Sequence, residues 1–356
     1  ILDGGEFDVP AKEDFRRVYA INTASQRLLT ALGVWDCLEM AQCAPYQQME
    51  VCDQSSTGRI AFDCRSLAMP ELGHIIGEIT LKKALLAAAT QEAHLNFLAN
   101  QSIQRLASSA EGMELHTQSH SLKTSLLMVA EGARSTTREL LNVPMHQYSY
   151  HQQALVAQVA CEHPHGQVAR QIFLPSGPLA FLPLPDNHQC SIVWSTRPAH
   201  AEHLKTIAED AFNAQLAEAF DHQLGKVALM GGRYCFPLHM RHVRQYSGEH
   251  WLLLGDTAHT IHPLAGLGLN LGLADVQTWL DCITSAPEKD FSPQSLAAFQ
   301  RQRKTEVWKV IMMMQGLKSL FQNPLPPFIH LRAMGLNTVN RLSPIKRFLI
   351  KQATGV

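Results

Sequence analysis

The sequence predicts an α/β protein with a mostly antiparallel β-sheet inserted into it and a helical tail. Three observations carry this reading. Helical and strand-like stretches alternate through the first part of the chain; four strand-like runs separated by turn chemistry follow; and helical periodicity then returns ahead of a fully apolar strand at 251–254. An α/β portion, a run of strands and a second α/β portion describe one domain interrupted by another.

Residues 20–38 carry apolar side chains at Ala24, Leu28, Leu29, Leu32, Val34 and Trp35, with Gly33 near the end, which is the spacing and stop signal of an amphipathic helix. Two alternating runs, 48–53 and 59–63, flank Ser55-Ser56-Thr57-Gly58 and predict a hairpin. Residues 79–95 are helix-like, and 96–130 break into short alternating runs ending in an apolar strand at 126–130. Strands are then predicted at 154–160, 168–174, 178–184 and 190–195, punctuated by Pro164, Gly166, Pro175-Ser176-Gly177-Pro178 and Pro185-Asp186-Asn187. Regular spacing with such turns argues an antiparallel sheet. Residues 202–223 return to helical periodicity, and Trp251-Leu252-Leu253-Leu254 leads into Gly255-Asp256.

Hydrophobic residues at 46%, charged residues at 17% and a formal net charge of -1 over 356 residues describe an ordinary globular chain able to bury a substantial core. That balance argues against a nucleic-acid partner. Eight scattered cysteines without a CxxC pair are expected to be reduced thiols. His259 and His262, or His163 and His165, lack a nearby carboxylate or thiol completing a ligand set, so no metal is expected. No apolar run has the length of a membrane span, since even 307–314 is interrupted by Lys309. Charge is uneven: from Arg301 onward there are ten basic residues against one acid, Glu306.

The most informative string runs from Gly255 to Gly272: Gly-Asp-Thr-Ala-His-Thr-Ile-His-Pro-Leu-Ala-Gly-Leu-Gly-Leu-Asn-Leu-Gly. A buried strand delivers a carboxylate, a Pro/Gly-rich loop follows, and a helix begins near Leu269. Glycines at 266 and 268 let backbone approach a flat ligand, while the helix start offers N–H groups and the positive end of a dipole. A flat ring that gains negative charge on reduction suits such a place.

This string resembles the second flavin motif of the class A flavoprotein monooxygenases. The whole chain is similar to their ubiquinone-biosynthesis hydroxylases, closest to the 2-polyprenylphenol hydroxylases. The likeness also runs through Arg17-Val18-Tyr19-Ala20-Ile21-Asn22, Leu72-Gly73-His74-Ile75-Ile76, His151-Gln152-Gln153-Ala154-Leu155-Val156-Ala157, Ala180-Phe181-Leu182-Pro183-Leu184, Cys190-Ser191-Ile192-Val193-Trp194-Ser195 and Met314-Gln315-Gly316-Leu317. It implies a Rossmann-like FAD domain with an inserted antiparallel substrate domain. It also implies FAD as cofactor, NAD(P)H as electron donor, and hydroxylation of a polyprenylphenol ring with O2.

By that resemblance Asp256 holds the ribityl chain, and Gly266, Leu267, Gly268, Leu269 and Asn270 line the isoalloxazine, with Leu269 and Asn270 N–H groups at its pyrimidine carbonyl. Pro263 lies at the reactive edge, between cofactor and substrate. Arg17 matches the arginine that contacts the pyrophosphate, Asp3 the acid on the adenosine ribose, and Glu78 and Glu131 polar positions beside the cofactor. Three residues depart from the family pattern: Glu131-Gly132 stands where Asp-Gly is usual, Thr80 where an arginine is common, and Leu267 where a glutamine is frequent. His259 and His262 are candidates for a general base by position only, with a packed histidine as the competing reading. Phe173 and Phe181 are expected in the substrate pocket.

A FAD-binding domain is expected over 1–44, 76–145 and 241–300, a substrate domain over 45–75 and 146–240, and a basic helical region over 301–356. The GxGxxG loop that cradles the diphosphate in such folds belongs roughly 20 residues before Asp3. This sequence lacks it, so the chain is expected to be a fragment of a longer protein, with natural loss of the first strand and helix as the alternative. A noncatalytic member of a ubiquinone-biosynthesis assembly that binds prenyl lipid or partner proteins is the competing function, and an epoxidase of the same fold is a weaker one. The expected location is the cytoplasm, with the basic tail either touching the inner face of the membrane or serving as a helical cap or protein surface.

Overall fold

The computed structural model describes residues 1–10, 17–261, 266–285 and 291–355. The chain begins with β1 (Val18–Asn22), α1 (Thr23–Ala31), β2 (Cys43–Tyr46), β3 (Gln48–Asp53), β4 (Arg59–Asp63), β5 (Gly73–Gly77) and α2 (Glu78–Gln91). Next come β6 (Arg105–Ser109), β7 (Gly112–His116), β8 (Ser121–Thr124), β9 (Leu127–Val129) and α3 (Thr136–Leu140). The long β10 (Met145–Cys161) leads to β11 (Val168–Leu174), β12 (Gly177–Pro183), β13 (Gln189–Thr196), α4 (Pro198–Thr206), α5 (Glu209–Ala219) and β14 (Val227–Val243). The last elements are β15 (Ser247–Gly248), β16 (Trp251–Leu253), β17 (His259–Thr260), α6 (Leu267–Ser285), α7 (Pro293–Gln322), α8 (Pro326–Arg341) and α9 (Ser343–Thr354).

Compact packing divides the chain into two units, one of Ile1–Val9, Ala88–Tyr150 and His239–Met314, the other of Pro10–Ala87, His151–Leu238 and Gln315–Val356. These units cut across the expected domains: residues 17–44 and 76–87 group with 151–238, and the basic region divides at Met314.

In the first unit β16 lies between β15 and β9, antiparallel to the former and parallel to the latter. A central strand is covered on both faces, which is why 251–253 is an unbroken apolar run with every residue buried. β6, β7 and β8 form an antiparallel meander. Val243, Tyr246, Leu252, Leu253, Trp279, Phe299 and Val307 join one hydrophobic core that brings α6 and α7 onto the β16 region.

In the second unit β10, β13, β12 and β11 are antiparallel in that order, as the turn chemistry predicts, and β3–β4 is the expected hairpin. β11 pairs with β3 in parallel, a connection between distant segments that no local turn can announce. The core lies on one face: Leu155, Val159, Leu179, Phe181, Ile192 and Trp194 pack against Leu204, Phe212, Leu216 and Phe220 of α4 and α5. A single helical stretch over 202–223 is therefore corrected to two helices, with Ile207 extended between them. β14 was not foreseen, because Gly231, Gly232 and Pro237 inside it are strand-breaking signals. The C-terminal region is helical as expected. α8 is fixed over the hairpin by Arg332 Nε, 2.6 Å from Asp53 Oδ2, with both side chains buried.

Candidate functional site

β9 and β16 run parallel in the first unit, so their carboxyl ends emerge side by side, the position where open α/β sheets bind ligands. The chain leaves β9 toward Glu131-Gly132 and β16 toward Gly255-Asp256-Thr257. Thr257 Oγ1 accepts from the Gly132 N–H at 3.0 Å and donates to the Gly132 carbonyl at 3.2 Å. The two sequence motifs are thus joined directly.

Beneath them Asp275, on α6 and without exposed surface, accepts hydrogen bonds from the Gly255 N–H (2.7 Å), His259 Nε2 (2.8 Å) and Arg303 Nε (2.7 Å). Arg303 also donates to the Leu271 carbonyl at 3.2 Å. Burial alone raises the Asp275 carboxyl; the His259 imidazole, Arg303 guanidinium and Gly255 N–H outweigh it and hold it below the usual carboxylate value. A Cβ on Gly272 would lie 3.3 Å from the Gly255 Cα, so glycine at 272 permits α6 to rest on the turn after β16. The carboxylate ties the turn after β16 to α6. Beside it His242 and Tyr246 are buried, with the His242 Nε2 and Tyr246 hydroxyl unpartnered among the described residues. Burial, reinforced by His259, Lys304 and His146, lowers His242 to about 4, and burial raises the Tyr246 hydroxyl well above the usual range.

Do these residues fit a flavin? At the start of α6 Gly266 adopts φ +63°, and among the described residues a Cβ on Gly268 would meet nothing within 4 Å beyond its own helix turn. A first turn whose N–H groups lack intrahelical acceptors, with Gly268 uncrowded by the described residues, suits a flat ring with an anionic pyrimidine edge. Leu267 and Leu269 are half-buried, and the Asn270 amide donates to the Gly266 carbonyl at 3.1 Å, closing the turn. The residues fit the isoalloxazine end. α6 starts two residues earlier than expected.

The other expected cofactor residues fall in both units. In the first, Asp3 is exposed and accepts from the Gly5 N–H at 2.8 Å. The Glu131 carboxylate accepts from Ser135 Oγ (2.6 Å), the Thr137 N–H (3.1 Å) and Thr137 Oγ1, so it caps the N-terminus of α3. In the second unit Arg17 and Glu78 are brought together, the Glu78 N–H donating to the Arg17 carbonyl at 2.9 Å where β1 begins and β5 ends. The Arg17 guanidinium lies 5.6 Å from the Tyr19 ring centre, and Glu78 is paired to Lys82 at 2.9 Å.

Other expectations are corrected. His259 is 2% exposed and tied to Asp275, the packed histidine of the two readings. Phe181 does not face a pocket, because its ring stacks on Phe220 at 3.8 Å inside the core; Phe173 likewise stacks on Phe321 at 3.8 Å. His262 and Pro263 lie outside the described residues. Among the described residues no group of three His, Cys, Asp or Glu could hold a metal. Sequence reasoning assigned no role to Thr257, Asp275 or Arg303. The first two lie within or beside the glycine string, but Arg303 reads as one more tail charge.

Parallel strand ends, a glycine turn and a helix start with free N–H groups are the features of a cofactor site in an α/β sheet. The family model described as "FAD binding domain" matches residues 10–314. The chain is 33% identical over 344 residues to the 3-demethoxyubiquinol 3-hydroxylase of Escherichia coli (strain K12), covering 96% of this chain and 87% of that protein. It is 29% identical over 343 residues to ubiquinone hydroxylase UbiL of Rhodospirillum rubrum, covering 95% and 79%. Its fold is similar to that of p-nitrophenol 4-monooxygenase PnpA from Pseudomonas putida DLL-E4, with TM-score 0.79 at 14% identity, covering 99% and 91%. The chain belongs to the FAD-binding class A flavoprotein monooxygenases, in their ubiquinone-hydroxylase branch, and is an oxidoreductase.

Proposed function

We propose that this protein hydroxylates the ring of a polyprenylated phenol or quinol in ubiquinone biosynthesis, taking electrons from NAD(P)H and one oxygen atom from O2. The observation that carries the proposal is one-third identity, over nearly the whole chain, to a relative named as a demethoxyubiquinol hydroxylase. The first turn of α6, with Gly268 uncrowded by the described residues, supports it from the side of the cofactor.

In this reading the N–H groups at the start of α6 hold the pyrimidine edge, Asp256 the ribityl chain and Asp3 the adenosine ribose. Bound FAD supplies oxygen transfer to an electron-rich ring. The protein's own part is to orient that ring and exclude water. The Asp275–Arg303–His259 clamp ties the turn after β16 to α6, so that the N–H groups at the start of that helix need not reorganise during turnover. The enzyme works in the cytoplasm at the inner face of the membrane, where so apolar a substrate resides.

The test is direct. FAD-loaded protein, given NADH or NADPH and a prenylated phenol under labelled O2, should yield a product carrying one labelled oxygen. Reductant consumption with peroxide release and no labelled product across prenylated phenols and demethoxyubiquinol would contradict the proposal.

A further inference from the structure

α8 and α9 each use one side against the second unit. On α8, Arg332 pairs with Asp53, and Asn337 and Asn340 side chains accept from the Arg59 and Ala61 N–H groups of β4. On α9, Ile350 joins a core with Cys64 and Leu72, while the Ala353 carbonyl accepts from the Asn22 amide. Their other sides are apolar and exposed. Phe328, Leu331 and Met334 follow one another at three-residue spacing on α8, roughly opposite the anchored side, with Met334 64% exposed. Ile345 and Phe348 do the same on α9, Phe348 at 58%.

Cations flank this surface. Arg341, Arg347 and Lys351 are exposed, and residues 307–356 contain no Asp or Glu at all. An acid-free helical pair with apolar outward sides and flanking cations has the chemistry of an element lying in a lipid headgroup layer. No helix among the described residues is long and apolar enough to cross a membrane, so the helices would lie along it.

We propose that the outward sides of α8 and α9 dock on an anionic lipid bilayer. Complementary charge selects the lipid: the headgroups supply the anions that this segment lacks, and the acyl boundary takes up its Phe, Leu, Met and Ile side chains. The inference deepens the proposed function and rests on it for its purpose, which is to hold the enzyme where a prenylated substrate is dissolved.

Sedimentation of the full FAD-loaded chain with vesicles tests it. The wild type should bind phosphatidylglycerol/phosphatidylcholine vesicles, bind pure phosphatidylcholine at least tenfold less, and release as salt is raised. Met334→Glu with Phe348→Glu, and separately Arg347→Glu with Lys351→Glu, should each weaken binding at least tenfold while the circular-dichroism melting curve is unchanged. Should a double variant fail to fold, Phe348→Ser alone should still lower binding severalfold. Equal binding to both vesicle types, or variants that bind as the wild type does, overturns the proposal. So does a wild type that ignores vesicles yet forms a dimer that these substitutions dissolve, since a second copy is then the occupant. Vesicle binding needs no turnover, so failed hydroxylation with intact binding removes only the enzymatic reading.

Discussion

At Asp275 three donors converge on one carboxylate that water does not reach, and removing its charge leaves Arg303 buried without a counter-ion. Asp275→Asn should therefore cost about 3–5 kcal/mol of stability, the range for breaking one side of a buried pair. Urea unfolding measures it, and a loss below about 1 kcal/mol would show the pair to be dispensable. His242 gives a pH dependence. Its folded value is about 4 against 6.5 when free, so the unfolded chain binds the proton more readily between those values, and stability falls as pH drops from 6.5 toward 4. Asp275, lowered from an ordinary value of 3.8, adds a loss of stability of the same sign only as pH falls below that value. Unfolding midpoints at pH 7 and pH 5 should differ accordingly, and His242→Gln should flatten the difference. These residues were hidden in the sequence because a pairing across 28 positions, such as Arg303 with Asp275, leaves no local pattern. Glu131 shows the opposite limit: its position was legible, but its carboxylate is spent on Ser135 and Thr137, partners only four to six residues away.

Elements were legible where their own side chains decide them. The hairpin of β3 and β4 and the strands β11, β12 and β13 follow from alternation and turn residues within a single segment. β14 was invisible because its Gly231-Gly232 and Pro237 are overridden by sheet context, and the parallel pairing of β3 with β11 depends on chain far away. The tail held a similar surprise. Arg332, apparently one of ten solvent-facing cations, is buried against Asp53 and donates to the carbonyls of Leu320, Phe321 and Asn323. Arg332→Met removes one partner and leaves Asp53 buried, at a cost of about 3–5 kcal/mol. Limited proteolysis should then cut at α8 first, before the β-sheet. Cleavage elsewhere at the wild-type rate would mean that the pair does not hold α8.

For the whole molecule, the family was readable because its motif is contiguous: the loop from Gly255 to Gly272 requires glycine for close approach and open space, and those requirements are written in one string. The substrate pocket was not. Phe173 and Phe181 were chosen as aromatic residues in the sheet, but strand alternation turns Phe181 toward α4 and α5, and Phe173 is covered by Phe321. What joins the parts is the claim that the start of α6 holds the flavin. Gly268→Leu tests that claim most directly, because among the described residues nothing outside its own helix turn lies within 4 Å of the added Cβ. Titration of the apoprotein with FAD, followed by flavin fluorescence, should show at least a tenfold weaker Kd for the variant, about 1.4 kcal/mol, at an unchanged melting temperature of the apoprotein. Equal affinity in variant and wild type would contradict the placement of the isoalloxazine at α6.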